Sequence, residues 1–275
     1  MDLQQLSLGL DYVASNGIVL STEKRVALQT SLVLLQHAEK LEHMTYWGKI
    51  QGLTADYYIA QGYNQDPFQR KNFMSLDCIK WAHVADVHPV LIASAQGLTT
   101  RFTGNPSHEY TVASLRKEET KSDNTVIVTT TLSEEKRLAA VIHLIDQAAR
   151  VVPRGAYRKT PGDKIEKSHT FSGLSFQDAG KIDNYMHCRE PETLKMKTNL
   201  QLAKLDPALD FLDSLADDIP KRCWSIQYQK GATVAVLRSV VWPGAVFYHG
   251  ISSPIFGHVY VGTGLKNLDL IFMIS

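Results

Sequence analysis

The sequence predicts an α+β fold, with one or more antiparallel β-sheets packed against about four helices. Its helical segments carry apolar residues three or four positions apart, whereas residues 224–229 alternate between apolar and polar side chains, as in a half-buried strand. The strand segments follow one another through short turns, as in hairpins. We expect residues 1–275 to form a single α+β unit, because no linker, repeat or low-complexity tract clearly divides the sequence.

Each predicted helix has a recognisable start or apolar face. Ser21 is a good N-cap for the first helix, and the second has apolar residues at i, i+3, i+4 and i+7 from Leu138. Ser175 opens a capping-box pattern, and Pro207 suits the first turn of the last helix. The predicted helices are 22–38, 134–150, 176–187 and 207–217.

β-Structure is predicted between and after these helices. Residues 46–50 and 55–60 are typical of a hairpin, and a charged loop at 115–124 precedes the β-branched run 125–131. Further strands are predicted within 72–84, 224–229, 232–241, 246–249 and 258–262.

Composition excludes several classes of protein. The 29 Lys and Arg nearly balance the 28 Asp and Glu, and no basic run offers a face for nucleic acid. Three widely spaced cysteines form no disulfide framework, which is typical of the reducing cytosol, and the N-terminus does not resemble a signal peptide. Residues 239–265 lack Asp, Glu, Lys and Arg, but two prolines and five glycines there disfavour a membrane helix. We expect an intracellular protein that binds neither nucleic acid nor membrane.

The sequence has no recognisable catalytic or nucleotide-binding motif. The glycine-rich run 257–264 lacks the Gly-Lys-Ser/Thr ending of a phosphate loop, and a Gly-x-Ser-x-Gly motif is absent. His187 and Cys188 are adjacent, but a capped helix end before Pro191 explains the pair better than catalysis does. We therefore expect no catalytic residue, no cofactor and no bound metal.

Two patterns leave a metal- or small-molecule-binding enzyme open as an alternative. His83, Asp86 and His88 lie close together, without the spacing that puts two ligands on one helical turn. An acidic stripe would line one face of the last predicted helix, but it lacks the glycine turn and terminal glutamate of an EF-hand. The stripe consists of Asp206, Asp210, Asp213 and Asp217. We interpret it as a solvated or partner-facing surface.

The charge-free C-terminal segment predicts a subunit interface on part of the sheet, because interface cores are poor in charge and rich in aromatic residues. Most of its aromatic side chains are expected in the core. If Val259 and Val261 point inward, strand alternation turns His258 and Tyr260 outward. The candidate interface residues are Trp242, Tyr248, His258 and Tyr260.

A series of motifs runs in one order from the first helix to the C-terminus. They occupy 55–62, 153–156, 171–175, 187–191, 205–215, 224–227, 237–239, 242–244, 247–249 and 260–264. Together these motifs resemble the radial spoke head family. The Trp-Pro-Gly and Tyr-Val-Gly elements at 242–244 and 260–262 also look like those of the larger spoke head proteins 4 and 6.

The resemblance implies a structural subunit of the radial spoke head in motile, nine-plus-two cilia and flagella, without catalytic activity or cofactor. Such heads face the central-pair apparatus and relay mechanical signals that regulate dynein-driven bending. The implied partners are other spoke head proteins, including proteins 4 and 6. The implied location is the cytoskeletal axoneme of the cilium or flagellum, within the cytoplasm. A factor that visits the spoke during assembly without staying is a further alternative.

Overall fold

A mixed eight-stranded sheet lies at the centre of the computed structural model, which describes residues 1–117 and 125–273. Within those residues the strands are β1 His43–Ile50, β2 Tyr57–Tyr63, β3 Lys71–Ser75, β4 Ala82–His83, β5 Glu109–Lys117, β6 Thr125–Ser133, β7 Val151–Pro153, β8 Tyr157–Lys159, β9 Ile165–Lys167, β10 Tyr185–His187, β11 Trp224–Gln229, β12 Val234–Ser239, β13 Ala245–Gly250 and β14 Phe256–Gly262. The α-helices are α1 Leu6–Val13, α2 Thr22–Ala38, α3 Pro89–Gln96, α4 Glu134–Ala149, α5 Phe176–Ala179, α6 Asn199–Leu202 and α7 Leu270–Met273. The predicted α+β class is confirmed.

Two antiparallel meanders from opposite ends of the chain build the large sheet. One runs from β1 to β4 and the other from β11 to β14. They join through a parallel pairing of β1 with β14, which places Gly48 opposite Tyr260 and Ile50 opposite Gly262. The strand order is therefore β11-β12-β13-β14-β1-β2-β3-β4.

Both faces of this sheet are covered by helices. One face packs against α1 and α2 in an apolar cluster that includes Leu10, Leu32 and Tyr248. The other face packs against α4 in a second cluster that includes Leu138 and Tyr260. Because successive residues of a strand point to opposite faces, β13 and β14 bury both sets of their side chains.

Three two-stranded sheets accompany the large one in the described residues, formed by β5 with β6, β7 with β10, and β8 with β9. The strand predicted at 125–131 is confirmed as part of β6. The loop predicted at 115–124 is wrong at 115–117, which belong to β5, and 118–124 lie outside the described residues. Residues 239–265 form strands and turns, and the described part of the chain holds no helix long and apolar enough to cross a membrane.

Two of the four predicted helices are confirmed. α2 has the predicted bounds, and Ser21 caps it by accepting a hydrogen bond from the backbone N–H of Lys24 at 3.4 Å. α4 ends one residue before the predicted end. The helices α1 and α3 were not predicted.

The helix predicted at 176–187 is wrong beyond its first turn. The α-helix stops at Ala179, Ile182–Asn184 form a 3-10 turn, and Tyr185–His187 form β10, which pairs with β7. The aromatic ring of Tyr185 packs 5.7 Å from that of Phe247, and its hydroxyl donates to the carbonyl of Ala179 at 2.8 Å. These tertiary contacts favour a strand over continuation of the helix.

The helix predicted at 207–217 is also wrong, apart from a 3-10 turn at Leu215–Asp217. A continuous helix would place Leu212 and Leu215 on one face. In the fold Leu212 packs in a small cluster with Met186, whereas Leu215 packs in the cluster beneath α4. An irregular backbone is needed for Leu212 and Leu215 to pack in two different clusters.

A buried carboxylate at the start of α4 fixes the chain before β5. Glu134 accepts hydrogen bonds from the backbone N–H groups of Thr103 and Gly104, both at 2.8 Å. The hydroxyls of Tyr57 and Tyr110 also donate to it. Burial alone would raise the pKa of Glu134, but these hydrogen bonds, led by that of Tyr110, outweigh burial and hold the pKa below the ordinary 4.5. The charged form is therefore favoured by folding.

Replacing Glu134 by Gln should lower the free energy of unfolding by about 2–4 kcal/mol at pH 7, because several buried donors then meet a neutral amide. A carboxyl with a depressed folded-state pKa stabilises the protein above about pH 4.5 and loses that contribution as pH falls through the folded-state value. Urea denaturation should therefore show the gap between wild type and Glu134→Gln narrowing in acid.

The matched control for that experiment is Glu135→Gln, on the same helical turn but partly exposed. It should change stability by less than about 0.5 kcal/mol. Equal urea midpoints for wild type and Glu134→Gln at pH 7 would contradict the role assigned to the buried carboxylate.

Candidate functional site

The four residues predicted for a subunit interface lie in the core of the chain. The exposed fractions are 4% for Trp242, 7% for His258 and 0% for both Tyr248 and Tyr260. The outward orientation predicted for His258 and Tyr260 is wrong, because the prediction assumed one open face and the helices cover both. An interface on the C-terminal sheet stays a prediction, and it would need other side chains.

The contacts of these residues are those of a packed core. The ring of Tyr260 lies 5.2 Å from that of Trp47, and its hydroxyl accepts a hydrogen bond from the backbone N–H of Gly264 at 2.9 Å. Burial raises the pKa of Tyr260 to about 12. Burial lowers the pKa of His258 to about 3 and that of His249 to about 4, so both imidazoles are neutral at pH 7.

The histidine cluster predicted as a metal alternative does not form a site. The Nε2 atom of His83 lies 3.2 Å from Glu39 Oε1, and both Asp86 and His88 are exposed. Across residues 1–117 and 125–273, no group of three or more His, Cys, Asp or Glu side chains is placed to hold a metal.

The acidic stripe is dispersed by the irregular backbone, and three of its carboxylates hold separate parts of the chain. The partners are Arg154 for Asp210, the backbone N–H groups of 192–194 for Asp213, and Lys197 for Asp217. Asp213 is buried, and although burial opposes its charge, hydrogen bonds led by the hydroxyl of Thr193 hold its pKa below the ordinary value. These carboxylates are structural anchors.

A cysteine, a histidine and an aspartate do meet near β11, but without the chemistry of a nucleophile. His187 Nε2 lies 2.8 Å from Asp218 Oδ1, and Cys223 Sγ lies 3.9 Å from Asp218 Oδ2. Burial, followed by the charge of Asp218, raises the pKa of Cys223 to about 11. The thiol is therefore protonated at pH 7, whereas a cysteine nucleophile works as thiolate. Trp224 Nε1 donates to the same aspartate at 2.8 Å, which makes this a structural cluster.

The outer face of α2 exposes several apolar side chains. Its inner face buries Leu28 and Leu32 against the sheet, as expected. The side facing away from the sheet also carries apolar residues, with exposed fractions of 59% for Val26, 41% for Val33 and 66% for Leu34, beside the polar Gln29, Thr30 and His37. A surface helix normally carries charged or polar residues there. We call the exposed set Val26, Thr30, Val33, Leu34 and His37 the α2 outer stripe.

The α2 outer stripe has the spacing of a helix-pairing seam. Val26, Thr30, Val33 and His37 are separated by four, three and four residues, which is the a/d spacing of a heptad repeat. The signal is readable in the sequence, because residues 26–38 contain no Asp, Glu, Lys or Arg although they form a surface helix. The sequence analysis predicted this helix from its N-cap, Ser21, and did not predict the stripe.

The segments that identify the family include all of one meander and the first two strands of the other. A family model described as radial spokehead-like protein matches residues 1–72 and 204–274, which contain α1, α2, β1 and β2 and the whole of β11 to β14. The chain belongs to the radial spokehead-like protein family.

Within that family the chain is similar over its full length to proteins named radial spoke head protein 9 homolog. It is 44% identical over 277 residues to the protein from Danio rerio and 44% identical over 278 residues to that from Homo sapiens. The protein from Xenopus tropicalis is 41% identical over 278 residues. Each alignment covers 100% of both chains. The resemblance inferred from the sequence motifs is confirmed.

Replacing Tyr260 by Asp should unfold the chain or destabilise it by at least about 4 kcal/mol, because a carboxylate would enter the core and leave a cavity. Tyr260→Phe should cost about 1–2 kcal/mol, since the N–H of Gly264 then lacks its acceptor. Thermal melting measures both effects. Tyr228→Asp, on the partly exposed β11, is the matched control and should cost less than about 1.5 kcal/mol. A normal melting temperature for Tyr260→Asp would contradict the core position.

Proposed function

We propose that this chain is a non-catalytic structural subunit of the radial spoke head in motile, nine-plus-two cilia and flagella. The observation that carries the proposal is its full-length similarity, at 41–44% identity, to proteins named for that assembly. Its location is the axoneme, and its neighbours are other spoke head proteins, among them proteins 4 and 6. In the head, which faces the central-pair apparatus, it supports assembly and the relay of signals that regulate dynein-driven bending.

The α2 outer stripe is the surface through which this subunit docks a helix of a neighbouring spoke head protein. Its heptad spacing favours a helix crossing at a shallow angle, since that geometry keeps an a/d seam in contact along its length. Association would remove Val26, Val33 and Leu34 from water, which is favourable in proportion to the apolar area buried.

The docked surface must itself be apolar and uncharged. Asp, Glu, Lys and Arg are absent from residues 26–38, so a charge placed opposite the stripe would lose its hydration without gaining a partner. The charged residues of this region lie beyond the stripe, at Glu23–Arg25 before it and Glu39–Lys40 after it. They provide a polar rim around an apolar centre.

The extent of the stripe argues against a second copy of this chain as the occupant. A 17-residue helix is about 25 Å long and 10–12 Å wide, so one face offers roughly 300 Å². A stable interface needs about 800 Å² on each partner. A dimer held by α2 alone would therefore be too weak, whereas a neighbour in a larger assembly supplies the remaining contacts elsewhere.

Val33→Glu should leave the chain folded but exclude it from spoke heads. The side chain is partly exposed and Glu favours helix, so the free energy of unfolding should change by less than about 0.5 kcal/mol. Docking would bury an unpaired carboxylate, which costs several kcal/mol and should reduce recovery at least about tenfold. The measurement is retention of tagged chain in salt-washed axonemes from cells that lack the endogenous copy.

The matched control is Leu53→Glu, which places the same charge at an exposed apolar position, 65% exposed, in the turn between β1 and β2. Full retention of Val33→Glu would contradict docking through α2. Absence of the wild-type chain from washed axonemes would contradict the structural role itself and favour a transient assembly factor. A concentration-dependent dimer of the free chain that Val33→Glu dissolves would identify a second copy as the occupant.

A further inference from the structure

A small, partly open cavity lies between the large sheet and the segments around β7 and β8. Its volume is about 70 Å³. One water molecule needs at least about 10–15 Å³ on this scale, so the cavity is large enough to hold water or a small ion. Its lining includes Arg70, Arg150, His258, Tyr63 and Tyr157.

Two buried guanidinium groups here share one buried carboxylate. The side chains of Arg70, Arg150 and Asp146 are 9%, 13% and 12% exposed. Arg150 Nη1 lies 3.7 Å and Arg70 Nη1 4.0 Å from the nearest Asp146 oxygen, both beyond hydrogen-bond distance. The hydrogen bonds of Asp146 come instead from Trp47 Nε1 at 2.8 Å and Gln61 Nε2 at 2.5 Å.

The charge of Arg70 is the less compensated of the two. Burial and then repulsion from Arg150 lower the pKa of Arg70. Burial opposes the charge of Arg150 most strongly as well, but Asp146 together with Cys188, Tyr157 and Tyr63 outweighs burial there, and the pKa of Arg150 is raised. The remaining ionised side chains of the lining, Asp2 and Lys167, are of opposite sign and offset each other. The cluster therefore carries an excess positive charge.

Two buried nitrogen atoms of the lining residues lack a hydrogen-bond partner within the described chain. They are Arg70 Nε and His258 Nε2. Arg70 Nη2 is engaged, since it donates to the carbonyl of Cys188 at 3.0 Å. A buried donor without an acceptor costs about 1–3 kcal/mol, and a buried uncompensated charge costs more. An anionic acceptor in the cavity would remove both costs.

We propose that this cavity binds one phosphate-type oxyanion, with Arg70 and Arg150 as its guanidinium ligands and His258 as a neutral hydrogen-bond donor. Arginine suits this task because its planar group presents parallel N–H donors to phosphate oxygens. A tetrahedral oxyanion is a compact ion, as a cavity of about 70 Å³ requires. The same chemistry is offered by free inorganic phosphate and by the phosphate of phosphoserine, so both are used as probes.

The test is equilibrium dialysis of the full chain against radiolabelled inorganic phosphate, with chloride holding the ionic strength constant. One phosphate per chain should bind, and thermal melting in the same buffers should show stabilisation that saturates with phosphate. Arg150→Met should weaken binding at least about tenfold, as loss of a charge-assisted hydrogen bond does. Arg158→Met, which removes an exposed arginine eight residues away, should bind as wild type does.

Wild-type protein that binds no phosphate in dialysis would overturn the proposal and leave a water-filled cavity. Equal affinity in wild type and Arg70→Met would overturn it as well. Arg70→Met serves as the second variant because it removes the less compensated charge, so it stays informative if Arg150→Met fails to fold. Competition by phosphoserine at lower concentration than phosphate would assign the site to a phosphorylated chain, and the reverse order would assign it to the free anion.

Discussion

The parallel pairing of β1 with β14 is the contact on which the architecture depends. It joins the first and last parts of the chain into one sheet, so neither meander keeps an open edge at the junction. The two backbones approach so closely there that a Cβ atom at Gly48 would lie 2.0 Å from the carbonyl oxygen of Tyr260, and Gly48 has φ +141°. Only glycine meets both conditions. The pairing of β1 with β14 begins at Gly48 and Tyr260. Before those residues, the amino group of Met1 links the two strands, because it donates to the carbonyls of Tyr46 and His258 at 2.7 and 2.9 Å.

The helices on both faces of the continuous sheet determine which side chains are available to bind a neighbouring protein. Phe247, Tyr248 and Tyr260 of β13 and β14 are fully buried in the two cores, so these side chains stabilise the scaffold and are not available to a neighbour. α2 is different, because its inner leucines complete one core while Val26, Val33 and Leu34 remain exposed on its other side. The same helix thus serves the fold and exposes the surface that we propose docks a neighbour. Two carboxylates of α4, Glu134 and Asp146, lie against the interior strands β1 and β2, where they are held by surrounding donors.

The sequence predicts what local spacing determines and misses what distant contacts decide. α2, α4 and the β1–β2 hairpin follow from periodicity and capping, and the motifs identified the family. The apolar spacing of Leu6, Leu10 and Val13 was also readable as α1. The alternation of side chains along a strand, however, cannot distinguish a sheet covered on one face from a sheet covered on both. Tyr260 was therefore predicted to point outward, although it is buried. The segments 176–187 and 207–217 both have helical patterns. In the first, pairing of β10 with β7 overrides the pattern. In the second, the burial of Leu212 and Leu215 in separate clusters overrides it. Arg70 and Arg150 are brought together only by the tertiary fold, so the sequence did not predict their cluster.

The central claim is that α2 buries one face in the fold and the other in the assembly, and thiol labelling tests it most directly. The three native cysteines are buried, so background reaction is low. Val33→Cys and Leu53→Cys should both react readily with a maleimide in the free chain, because both positions are exposed. In isolated spoke heads, position 33 should become protected at least about tenfold while position 53 continues to react, as burial at an interface core and exposure outside it require. Equal reactivity of Val33→Cys in the free chain and in spoke heads would contradict the account.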